Sequence, residues 1–72
     1  MGKCTTAFEE LRFDVRDDQL TECYVLIRAE GDCPLGVQGW HHQTFPARMS
    51  VLDILTEEIG RAVEWPLEAP RD

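Results

Sequence analysis

The side chains best suited to ligate a metal or activate a nucleophile are His41, His42, Cys23 and Cys33. A zinc site asks for about four such ligands around one ion. Neighbours on a strand point to opposite faces, however, so His41 and His42 could share an ion only across a bulge. The cysteine spacings match no zinc pattern, and no metal is expected. Cys33 with His41 or His42 is also the sole nominal pairing of nucleophile and base, and no oxyanion-hole loop accompanies it. Glycines 2, 31, 36, 39 and 60 are too scattered to cradle a phosphate. No catalytic residue and no cofactor are assigned, and the expected role is non-enzymatic. A metal-binding or catalytic domain built on Cys33, His41 and His42 is the alternative.

The acidic residues say more. Fourteen of them against seven basic ones leave a net charge of −7. That charge repels phosphate backbones and anionic membranes, so neither nucleic acid nor membrane is an expected partner. A protein with a basic surface is. Asp14, Asp17, Asp18 and Glu22 gather in one stretch, and Glu57, Glu58 and Glu64 in another. Tyr24 and Leu26 stand beside the first group, with Trp40 or Trp65 as further aromatic candidates. Apolar anchors within a charged rim are the ordinary composition of a protein interface. The expected function is that of a small binding protein that blocks or modulates a larger, nucleic-acid-handling protein, in the sharpest version by imitating nucleic acid. In size and charge the chain is similar to small acidic phage inhibitors such as anti-CRISPR proteins, a likeness that no motif accompanies.

Two features bear on location. The opening Met1-Gly2-Lys3-Cys4-Thr5-Thr6 fits a myristoylation pattern, and Cys4 could take a second acyl chain, which makes a lipid-anchored adaptor a further alternative. The negative charge would oppose docking on anionic lipid. Three cysteines, Cys4, Cys23 and Cys33, are an odd number without a secretory segment before them. No disulfide framework is expected, and the location implied is cytoplasmic.

The elements that must position these residues follow from periodicity. Glu22 to Glu30 is the longest apolar run of β character, with Cys23, Val25, Ile27 and Ala29 on one face and Glu22, Tyr24, Leu26, Arg28 and Glu30 on the other. It reads as the central strand. Phe8 to Arg16 alternates with Leu11, Phe13 and Val15 on one side and reads as a half-buried strand, against a rival helix capped by Thr6. Asp17-Asp18-Gln19 turns the two into a hairpin. Gly31 to Gly36 breaks the ladder, and Val37 to Phe45 reads as a third strand, with a bulge at Gly39 expected to bring Val37 and Trp40 to the core.

Ser50 with Asp53 caps a helix running to about Glu64, with Leu52, Leu55, Ile59, Ala62 and Val63 as its apolar stripe and Glu57 paired with Arg61. Gly60 suggests close packing of that helix. Trp65-Pro66 ends it. The expected fold is a small two-layer α+β domain of order β-β-β-α, a three-stranded antiparallel meander with one C-terminal helix packed on it. A single domain covers residues 1–72, with about 1–6 and 66–72 loosely ordered. The oligomeric state is left open.

Overall fold

The computed structural model describes residues 2–46 and 49–71. Three antiparallel strands form one open sheet in the order β1-β2-β3, followed by a C-terminal helix, which is the expected β-β-β-α arrangement. Strand β1 is Cys4–Arg16, β2 is Gln19–Gly31 and β3 is Gly39–Thr44. The first two strands are joined through Asp17 and Asp18 alone, both at positive φ (51° and 62°). Positive φ at both central residues is what a two-residue hairpin turn matching the strand twist requires. Aspartate tolerates that region better than most residues do.

The central strand carries the core. Leu20, Cys23, Val25 and Ile27 are buried, and Ile54, Ala62 and Trp65 close over them. Burying each large aliphatic side chain contributes about 1.5–3 kcal/mol, so this short list holds most of the stability of the domain. The other face of β2, with Tyr24 and Leu26, stays partly exposed. Strand β1 is less covered than a half-buried strand should be. Phe8, Leu11, Phe13 and Val15 are 51%, 41%, 46% and 44% exposed, because the helix lies over β2 and β3.

Strand β3 needs no bulge at Gly39. The register with β2 runs unbroken from Glu22↔Thr44 to Ile27↔Gly39, so His41 faces the core and Trp40 the opposite face beside Leu26. Val37 reaches the core from the loop before the strand. The irregularities lie instead between β1 and β2, at Phe8/Glu10 and Asp14/Val15.

Helix α1 (51–64) begins as expected, the Ser50 hydroxyl accepting from the Asp53 amide at 3.2 Å. It then changes pitch, passing from Val51–Asp53 through a π-helical turn, Ile54–Glu58, into a 3-10 segment, Ile59–Glu64. The Thr56 hydroxyl donates to the Leu52 carbonyl at 2.6 Å, competing for an acceptor that a regular α-helix would reserve for the backbone. The wider turn re-phases the helix. Of the expected stripe Ala62 is buried and Ile59 packs against the core, whereas Leu52, Leu55 and Val63 are 73%, 36% and 37% exposed, and Ile54 and Trp65 take their place. Among the described residues the Glu57–Arg61 ion pair is not formed, since neither the π nor the 3-10 pitch stacks those positions as an α-helix does. A Cβ on Gly60 would meet nothing within 4 Å, which removes close packing as its explanation.

The ends are tied in. Cys4 and Cys33 form a disulfide where no disulfide framework was expected, because β1 begins at Cys4 opposite Gly31 and the two cysteine Cα atoms lie 4.7 Å apart. Residues after Trp65 run beside β3, with the His42 amide donating to the Pro66 carbonyl and the Glu68 amide to the Trp40 carbonyl, both at 2.9 Å. Met1 and Asp72, the outermost of the ends expected to be loose, lie outside the described residues.

Candidate functional site

The helix covers one face of the sheet, and the other carries the polar and aromatic residues. In register across that face lie Arg12, Tyr24 and His42, then Glu10, Leu26 and Trp40, then Asp14, Glu22 and Thr44. Tyr24 and His42 stack with ring centroids 4.1 Å apart and an interplanar angle of 15°. The Arg12 guanidinium lies over the Trp40 ring at 5.3 Å, while its Nε holds Glu10 Oε2 at 2.6 Å.

Two carboxylates flank the stack. Nδ1 of His42 lies 3.0 Å from Oε2 of Glu68, and Nε2 lies 3.3 Å from Oε1 of Glu22. Carboxylates only accept, so the imidazole N–H is the donor in each bond, and a neutral ring serves one of them at a time. Asp14 completes a shallow depression lined by Asp14, Glu22, Tyr24, His42, Glu68 and Arg71. The Tyr24 phenol is pushed above its ordinary range, first by burial and next by the negative charge of Glu22 and Glu68. The depression therefore gathers a stacked aromatic pair, three carboxylates and the Arg71 guanidinium, with the negative charges in excess. Such a site suits a guanidinium or ammonium group, which can stack on a ring and donate to carboxylates together.

The expected binding residues divide by location. Asp14, Glu22 and Tyr24 come together here, with Leu26 beside Trp40 on the same face. Asp17 and Asp18 form the hairpin tip, one turn beyond Asp14. Glu57, Glu58 and Glu64 sit on α1, on the opposite side of the sheet, and belong to no common surface with the first group. Sequence reasoning weighed His42 as a metal ligand or base and not as a binding residue, and it missed Glu68. Glu68 arrives through the tail's pairing with β3, and no local pattern signals it.

The metal or catalytic alternative loses its geometry. Cys33 is in the disulfide, and His41 is buried with Nδ1 and Nε2 each 2.8 Å from a carbonyl oxygen, of Trp65 and Val37 respectively. His42 faces the other side of the sheet. Among the described residues no group of three or more His, Cys, Asp or Glu side chains could hold a metal ion. Cys4, which a second acyl chain would use, is the disulfide partner of Cys33. Among the described residues no helix is long and apolar enough to cross a membrane. No protein-family model, curated protein or solved structure matches this chain.

Proposed function

We propose that this chain is a non-enzymatic binding protein that attaches to a basic surface of a larger protein, one that itself handles nucleic acid, and blocks or modulates it. The observation that supports this reading is the ring of Asp14, Glu22 and Glu68 around the stacked Tyr24 and His42, on the sheet face that the helix leaves open. An arginine or lysine presented by the partner would lie over the aromatic pair and donate to the carboxylates. Leu26 and Trp40 alongside would be the apolar anchors. In its sharpest form the three carboxylates, continued by Asp17 and Asp18 at the hairpin tip, stand in for backbone phosphates.

An arginine-rich peptide titrated into labelled protein tests this by NMR. Shifts should concentrate at Tyr24, His42 and Glu68 and fade as salt rises, since a Debye length of about 8–10 Å at physiological ionic strength screens such attraction. Glu22→Gln with Glu68→Gln should weaken binding at least tenfold. Shifts confined to Glu57, Glu58 and Glu64, or binding indifferent to salt, would refute the reading. The proposal carries with it a cytoplasmic location, in which the thiol pool would hold Cys4 and Cys33 reduced. Counting free thiols on protein alkylated directly in cells tests that.

A further inference from the structure

The two edges of the sheet are treated differently. The tail runs along the outer edge of β3, with an isolated bridge from His41 to Leu67, while among the described residues no strand pairs with the outer edge of β1. That open edge is 13 residues long, and it carries Phe8, Leu11, Phe13 and Val15, each between 41% and 51% exposed, on the helix side of the sheet but beyond the helix's reach. Natural sheets seldom leave a long apolar edge strand unpaired, because its free amides and carbonyls template another strand.

We propose that the occupant of this edge is a second copy of the chain, joined by antiparallel β1–β1 pairing about a two-fold axis at Phe13. The argument rests on register. On β1 the run from Glu10 to Arg16 lies between the irregularity at Phe8/Glu10, where Glu9 is the extra residue, and the Asp17-Asp18 turn; the second irregularity, at Asp14/Val15, has its extra residue, Thr21, on β2 and leaves the alternation of β1 unbroken. Phe13 is the midpoint of that run. Pairing about it sets Glu10 opposite Arg16 of the second copy and Arg12 opposite Asp14, so every cross-strand charge pair is of opposite sign. On the other face Leu11 meets Val15 and Phe13 meets itself.

Neighbouring registers fail. An axis at Arg12 puts Arg12 against itself and Glu10 against Asp14. An axis at Asp14 puts Asp14 against itself and Arg12 against Arg16. Axes at Leu11 or Val15 run early into the irregularity or the turn and leave a shorter ladder. An axis between residues sets apolar side chains opposite charged ones, since facing residues share a side of the sheet. A two-fold interface requires a self-complementary patch, and the order Glu10-Leu11-Arg12-Phe13-Asp14-Val15-Arg16 is self-complementary about its centre in both charge and hydropathy. The product is a six-stranded sheet with one continuous apolar face between two helices. This inference does not rest on the cation-binding reading, with which it shares one residue, Asp14, at the rim of the depression at Tyr24 and His42.

Sedimentation of the full chain across a concentration series tests it. The expected species is twice the 8.3 kDa of the monomer. Glu10→Arg alone should shift the protein to monomer, by setting two guanidinium groups opposite each other at positions 10 and 16, and Glu10→Arg combined with Arg16→Glu should restore the dimer. In a Cys23→Ala background, which removes the free thiol directly opposite position 13 in the same chain, Phe13→Cys should cross-link to itself under mild oxidation, because directly opposed Cβ atoms lie about 4.5–5.5 Å apart, whereas Arg12→Cys should not. A monomer at all concentrations up to about 1 mM would overturn the proposal. So would a dimer that ignores the charge reversal or cross-links through position 12 in preference to 13.

Discussion

Replacing Ile54 by alanine, set against the same replacement at Leu55, tests the re-phased helix directly. Ile54 is fully buried and Leu55 is 36% exposed, although they are adjacent and chemically alike. Truncation removes the equivalent of roughly three methylenes, worth about 2.4 kcal/mol in transfer free energy when fully buried. At Ile54 the hole lies within the buried cluster that also holds Leu20, Val25, Ile27 and Trp65, so a cavity contribution raises the expected loss to about 3–4 kcal/mol. At Leu55 the transfer contribution scales with the buried fraction to about 1.5 kcal/mol at most, and an open site leaves no cavity. A chain of 72 residues is stable by about 4–11 kcal/mol, so the first change consumes a large share of the total.

Urea unfolding followed by circular dichroism is the assay. With a slope of about 1 kcal/mol per molar, the midpoint should fall by about 3–4 M for Ile54→Ala and by about 1.5 M or less for Leu55→Ala. Should the alanine variant at 54 be unfolded without denaturant, Ile54→Val, expected to cost about 0.5–1.5 kcal/mol, supplies the measurement. Equal losses at the two positions, or a larger one at Leu55, would show that the helix presents its regular α-helical stripe and that the π turn is absent.

Other expectations rest on single features. Gly60→Ala should stabilise by up to about 1 kcal/mol, because the added methyl meets open space and removes freedom from the unfolded chain; a loss would mean hidden contact there. Reducing Cys4–Cys33, whose positions are 29 apart in sequence, should cost roughly 3–4 kcal/mol in thermal unfolding on the loop-entropy argument. Replacing Asp17-Asp18 by Asn-Gly should raise the melting temperature, and Asp17→Lys should lower it, since both positions require positive φ. Burial raises the Cys23 thiol from 9.0 to about 11. The unfolded chain therefore loses its proton first, and stability that is full below about pH 9 declines as pH rises toward 11, the opposite of a salt-bridged carboxylate. Cys23→Ala should flatten that decline in pH-dependent melting.

The sequence by itself determined the layer order and the faces of the strands. Period-two alternation from Cys23 to Ile27 assigns the core side of β2, and Ser50 with Asp53 starts the helix, because both signals are local and each residue's own chemistry enforces them. Even the hairpin was legible, since Asp17-Asp18 interrupts the alternation with two residues that accept its positive φ. What lay beyond the sequence depends on contacts between distant residues or on a change of pitch. The π turn at Ile54–Glu58, with Thr56 bonded back to Leu52, turned a regular stripe into one led by Ile54, a choice that periodicity counted at fixed pitch has no means of making. Cys4 met Cys33 only once the hairpin register had set Cys4 opposite Gly31. His41 went inward with the unbroken register of β3 on β2, and there its ring nitrogens lie 2.8 Å from the Trp65 and Val37 carbonyls, of which a neutral ring's single N–H serves one. The candidate site was half legible for the same reason. Asp14, Glu22 and Tyr24 lie on one hairpin and share a face by alternation alone, whereas Glu68 joins them across the sheet through tail hydrogen bonds, which only the folded chain brings into being.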